Sequence, residues 1–117
     1  MPTIRSVRAA KIFIDNDVSS TKVSAIIGGC LISYYNVYNA SNAVAFIQFF
    51  DALAADVTVG TTVPTIALAI PQSAVIDTPR TLNWRFETGC VIAMTTTQQG
   101  NGAPSAVSQV EIEYHPF

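Results

Sequence analysis

Residues 42–52, NAVAFIQFFDA, constrain the fold more than any other stretch. Along a strand, side chains alternate between the two faces of a sheet. One face would carry Val44, Phe46, Gln48 and Phe50, and the other Ala45, Ile47 and Phe49. Both are apolar, so both need a cover. The face without a polar member, Ala45, Ile47 and Phe49, is expected to form the core. The face with a single Gln has the mixture typical of subunit contacts. Phe46, Gln48 and Phe50 are therefore expected at a subunit interface, with Tyr34 and Tyr38 of the preceding strand.

The rest of the chain is built from similar runs. Val, Ile, Thr, Tyr and Phe are punctuated by Gly, Pro and Asn at short intervals, which is the pattern of strands and turns. An extended region is expected to end at Ile14, with a turn at Asp15–Asn16–Asp17. Residues 24–39 read as one long strand bent at Gly28-Gly29. Residues 39–42, NASN, read as the turn of a hairpin that spans 30–51. A helical turn is expected within 52–55, and a short strand at 66–70. In TLNWRFET, Leu82, Trp84 and Phe86 alternate with polar neighbours. Residues 89–97 form a further strand, 98–105 a turn, and the last strand sets Gln109, Glu111, Glu113 and His115 on one side.

The expected fold is all-β: a single two-layer antiparallel β-sandwich, jelly-roll or immunoglobulin-like, of about seven or eight strands. A chain of 117 residues fits one domain. Residues 1–22 are expected as an N-terminal extended arm or edge strand, and 23–117 as the sandwich.

Charge is scarce. Only 12% of residues are Asp, Glu, Lys or Arg, and none falls in 23–50, 57–76 or 88–110. A lone soluble monomer usually carries more. Much of the surface is therefore expected to be buried in an assembly, or to be polar through Ser, Thr, Asn and Gln. The net charge of -2 gives no pull toward nucleic acid or an anionic membrane. The apolar runs are interrupted by Gly, Asn and Pro, so no membrane-spanning helix is expected. The N-terminal sequence lacks an apolar core ahead of a small-residue cleavage site, so no secretion signal is expected.

Candidate chemistry is thin. His115 is the single histidine, which leaves no multi-histidine metal site and places a Ser-His-Asp triad at a fraying end. The carboxylates Asp51, Asp56, Asp77, Glu87, Glu111 and Glu113 include no pair marked as a glycosidase acid and base. DND at 15–17 lacks the rest of a calcium loop, and neither VGTTVPT nor QQGNGAPS is a phosphate cradle. Cys30 and Cys90 sit in apolar runs and are expected as buried thiols. No cofactor, metal or catalytic residue is expected, and the chain is read as a non-enzyme.

The tyrosines and phenylalanines leave carbohydrate binding as an alternative. Near the N-terminus, Arg5, Arg8 and Lys11 form a candidate arm for docking on an acidic neighbour, or the wet face of an edge strand.

The central block carries a resemblance. YYNVYNASNAVAFIQFFDALAADVTVGTTVPTIALAIP, then WRFETGCVIAMTTTQQGNGAPS, resembles small structural proteins of tailed-bacteriophage virions. The matching positions are Asn39, Phe46, Gln48, Phe50, Asp51, Gly60, Thr61, Thr62, Pro64, Thr88, Gly89, Thr95, Thr96, Thr97, Gly102, Ala103, Pro104 and Ser105. The resemblance covers about residues 30–107 and implies a β-sandwich particle component without catalytic residues. The expected function is capsid decoration, as a homo-oligomer such as a trimer, on the major capsid protein or other virion proteins. The expected location is the virion, assembled in the host bacterial cytoplasm. A tail, baseplate or fibre component is the nearest alternative.

Overall fold

The computed structural model describes residues 9–117. Arg5 and Arg8 lie outside the described residues. Nine strands follow in order: β1 Lys11–Val18, β2 Val23–Ile27, β3 Cys30–Tyr38, β4 Ala45–Phe50, β5 Ile66–Ile70, β6 Val75–Asp77, β7 Trp84–Phe86, β8 Gly89–Thr95 and β9 Ser108–Pro116. One 3-10 turn, Ala54–Asp56, lies between β4 and β5.

All pairings are antiparallel and fall in two sheets. The first has the order β1-β9-β3-β6, with β7 also on β3; the second is β2-β8-β4-β5. β6 and β7 run in the same direction along one edge of β3, at Asn36–Tyr38 and Cys30–Ile32. Thr78 and Leu82 donate their amides to the Tyr35 and Ser33 carbonyls between them, at 3.1 Å each. β6 and β7 are thus one interrupted strand. Counted so, the sheets read 1-8-3-6 and 2-7-4-5, which is jelly-roll order. Of the two sandwich topologies the sequence allowed, this is the one formed.

The core lies between the sheets. Ala45, Ile47 and Phe49 of β4 enter it, as expected from the alternation, beside Ile92 and Met94 of β8 and Ile32, Val37, Val110 and Ile112 of the other sheet. Tyr35, Phe49 and Trp84 stack in a ring of contacts with centroids 5.4–5.6 Å apart, joining β3, β4 and β7. Cys30 and Cys90 are buried free thiols.

Four local expectations are corrected. The run 24–39 is two strands in different sheets. Gly28, at φ +93, turns the chain across the sandwich, a conformation that favours glycine. The 30–51 hairpin does not form, because β3 has its two edges occupied by β9 and by β6 with β7. Asn39 instead anchors the crossing to β4. Its Nδ2 donates to the Ala43, Ile70 and Pro71 carbonyls at 3.0–3.2 Å, and its Oδ1 accepts from Ser41. Asp15–Asn16–Asp17 is not a turn. β1 runs through it with a register shift between Asp15 and Val18, and the Asp17 amide donates to Asp15 Oδ1 at 2.8 Å. The C-terminal end is paired as well: His115 lies opposite Leu31, and the Phe117 amide donates to the Gly29 carbonyl at 3.1 Å.

β1 pairs with β9, and its Val18 is fully buried in the shared core.

Candidate functional site

Phe46, Gln48 and Phe50 of the expected interface fall on the outer face of the β2-β8-β4-β5 sheet. The protein covers most of it with its own loops. Gln48 and Phe50 are each 1% exposed. Phe50 packs with Val91 and Ala93 of β8 beneath Val57, with Ala52, Ala54 and Val59 around it. Lys22 clips this loop down, its Nζ donating to the Ala54 and Val57 carbonyls at 2.6 Å each. Gln48 holds the loop after β8. Its Nε2 donates to Thr95 Oγ1 at 2.9 Å, to the Gln98 carbonyl at 3.0 Å and to the Gly100 carbonyl at 3.2 Å. A Cβ on Gly60 would meet the Asn101 Cβ at 2.9 Å, so the two loops touch.

This corrects the interface assignment for Gln48 and Phe50. Their neighbours are residues 51–59 and 95–100 of the same chain. Phe46, on the same face, is half-buried.

Asp51 and Ser105 also bond to neighbouring loops. Asp51 accepts the backbone N–H of Glu87 at 3.0 Å and of Thr88 at 2.8 Å, fixing the turn into β8. Ser105 donates to Asn42 Oδ1 at 3.0 Å and accepts the Asn42 amide at 3.1 Å. Asp51 and Ser105 thus pin loops to the sandwich.

The other sheet has an open outer face. Register places its residues in rows across β1, β9, β3 and β6. Ile12, Glu113 and Tyr34 form one row; Ile14, Glu111, Asn36 and Asp77 a second; Gln109, Tyr38 and Val75 a third. Ile12 is 53% exposed and Ile14 61%, and Val75 is also exposed. Tyr38 is half-buried. A depression of about 60 Å³ lies among Ile14, Asn16, Asn36, Gln109, Val110 and Glu111. That is far below the ~300–1,000 Å³ of a typical small-molecule site.

The polar groups of this face engage one another. Arg80 pairs with Glu113, which also accepts from Ser33 Oγ at 3.0 Å. The Arg80 guanidinium sits 4.2 Å above the Tyr34 ring, a cation–π distance. Tyr34 is buried beneath it. The Tyr34 hydroxyl donates to Asp77, which also accepts from Asn36 Nδ2 at 3.2 Å. That hydrogen bond is the main reason the Tyr34 hydroxyl is pushed up and the Asp77 carboxyl held down from their ordinary values.

Tyr34 and Tyr38 thus share the open face, while Phe46, Gln48 and Phe50 lie on the opposite side of the sandwich. The sequence reading did not single out Ile12, Ile14, Val75 or Arg80. The alternation of Ile12 and Ile14 with Phe13 was the available signal, since Phe13 packs against the core. Lys11, of the candidate docking arm, is exposed at the start of β1. Among the described residues no cluster of His, Cys, Asp and Glu could hold a metal ion, and no helix is long and apolar enough to cross a membrane. No protein family, curated protein or solved structure matches the chain.

Proposed function

We propose that this chain is a non-enzymatic structural component of a bacteriophage particle, binding the assembled head as a decoration protein. The observation that carries the reading is the outer face of the β1-β9-β3-β6 sheet. It is broad and shallow, with exposed Ile12, Ile14 and Val75 set among side chains already bonded to each other. Such a face suits contact with another protein surface. Burying apolar area there contributes about 25 cal/mol per Å² before association costs. Many weak contacts on a repeating shell then add through multivalency.

Three further features support the reading. The jelly-roll is a recurrent architecture of capsid domains, although fold alone does not assign function. The two free buried thiols suit assembly in a reducing cytoplasm. The bacteriophage-like pattern falls on the loop anchors that give this sandwich its closed side.

The carbohydrate alternative requires open aromatic rings. The Arg80 guanidinium occupies the outer face of Tyr34, so stacking on a sugar would rest on Tyr38.

The test is co-sedimentation of the purified chain with assembled heads of its phage. Saturable binding to heads, reduced by Ile12→Asp and Ile14→Asp, is the expected result. Binding to purified tails with none to heads would move the chain to a tail role.

A further inference from the structure

We infer that two copies of this chain pair through their β1 strands, joining the β1-β9-β3-β6 sheets across a twofold axis. β1 is the edge of its sheet, and among the described residues β9 is the one strand hydrogen-bonded to it. An open edge is a template for another strand. Proteins blunt such edges with bulges and charges, and here the blunting is confined to one half. The register shift comes after Asp15, and the Asp17 amide is taken up by the Asp15 side chain. Lys11 to Asp15 is left as a regular segment.

That segment, KIFID, is complementary to itself when antiparallel. With Phe13 at the twofold axis, Lys11 of each copy lies opposite Asp15 of the other. Ile12 of each lies opposite Ile14 of the other. Directly opposed residues in an antiparallel pair sit close enough for opposite charges and apolar side chains to attract. The four isoleucines would form one apolar cluster on the outer face, where Ile12 and Ile14 are now 53% and 61% exposed. A shift of one residue breaks this match, because Lys11 then faces Ile14 or Asn16. The interface is isologous, as a twofold requires. It concerns self-pairing alone and holds for whichever shell the chain binds.

Light scattering of the full chain at about 100 µM is expected to give twice the 12.5 kDa chain mass. Lys11→Asp would set like charges opposite each other and give a monomer. Asp15→Lys would do the same with the opposite sign. Mixing the two variants restores opposite charges in this register and is expected to give a heterodimer. Asp15 also supports the bulge, so circular dichroism of each variant is recorded, and Lys11→Glu is a second acidic variant that leaves Asp15 intact. A wild-type monomer, a trimer, or a dimer indifferent to these charge reversals would overturn the pairing. Head binding is measured separately, so a monomer that still binds heads would refute the β1 pairing and leave the decoration reading standing.

Discussion

The side-chain amide of Gln48 donates to the backbone carbonyl of Gln98 at 3.0 Å, across 50 residues of sequence. The bond ties the loop after β8 to the outside of β4. It covers one side of the sandwich with the chain's own loops, while Ile12, Ile14 and Val75 of the opposite sheet stay exposed.

Gln48→Ala removes the donor shared by Thr95, Gln98 and Gly100. Losing the buried bond to Thr95 and the two half-buried bonds to the loop carbonyls costs about 1–3 kcal/mol. Chemical denaturation is expected to show that loss, with the oligomeric state unchanged in light scattering. An unchanged midpoint would mean that the loop is held without Gln48.

Gly60 sits at φ +93 with Asn101 against its α-carbon. Gly60→Ala is expected to destabilise by more than about 1 kcal/mol, since alanine is strained there. Adding Asn101→Gly relieves the clash but not the backbone strain, so a double-mutant cycle should show partial recovery. Strict additivity would mean that the two loops do not press on each other.

The thiols report on the core. Burial, reinforced by the negative charge of Asp51, pushes Cys30 up to about 11, and burial raises Cys90 further. A group raised in the folded state stabilises fully below its unfolded value and loses that contribution as pH rises through the folded one. Stability is therefore expected to fall from about pH 9 toward about 11. At pH 8 Ellman's reagent should label neither thiol in the folded protein and both after denaturation. Rapid labelling of the folded chain would contradict the burial.

The pair Tyr34 and Asp77 contributes to stability in acid. The Tyr34 hydroxyl holds the Asp77 carboxyl below its ordinary 3.8. A depressed carboxyl contributes stability above that value and loses it as pH falls through the folded one. Tyr34→Phe removes the donor, so Asp77 should titrate closer to 3.8 by NMR, and both its share of the stability above that pH and the loss of that share in acid should shrink. Identical titration curves would show that the hydroxyl does not bond to Asp77.

Much of the sandwich was legible from alternation. Ala45, Ile47 and Phe49 are core by alternation and lie there, the strand at 66–70 falls where the sequence places it, and the strand read at 89–97 ends at Thr95. Pairing was less legible. A small-residue turn such as NASN has the composition of a hairpin, but β3 had its edges occupied by strands distant in sequence. The same limit misled the reading of Gln48 and Phe50. Their face is apolar because loops 51–59 and 95–100 fold back over it, and nothing local to 42–52 encodes that return. The open face escaped notice for the complementary reason. Ile12, Tyr34 and Val75 come from three separate strands, and only register across β9 and β3 sets them on one surface.

The most direct test of the proposed decoration role is cryo-electron microscopy of a phage particle found to carry this chain, with the chain traced in place. The proposal is met by density on the head shell, with the Ile12, Ile14 and Val75 face covered by protein and the Gln48 and Phe50 side closed by the chain's own loops. A chain found solely in the tail, or one on the head with that face open to solvent, would contradict it.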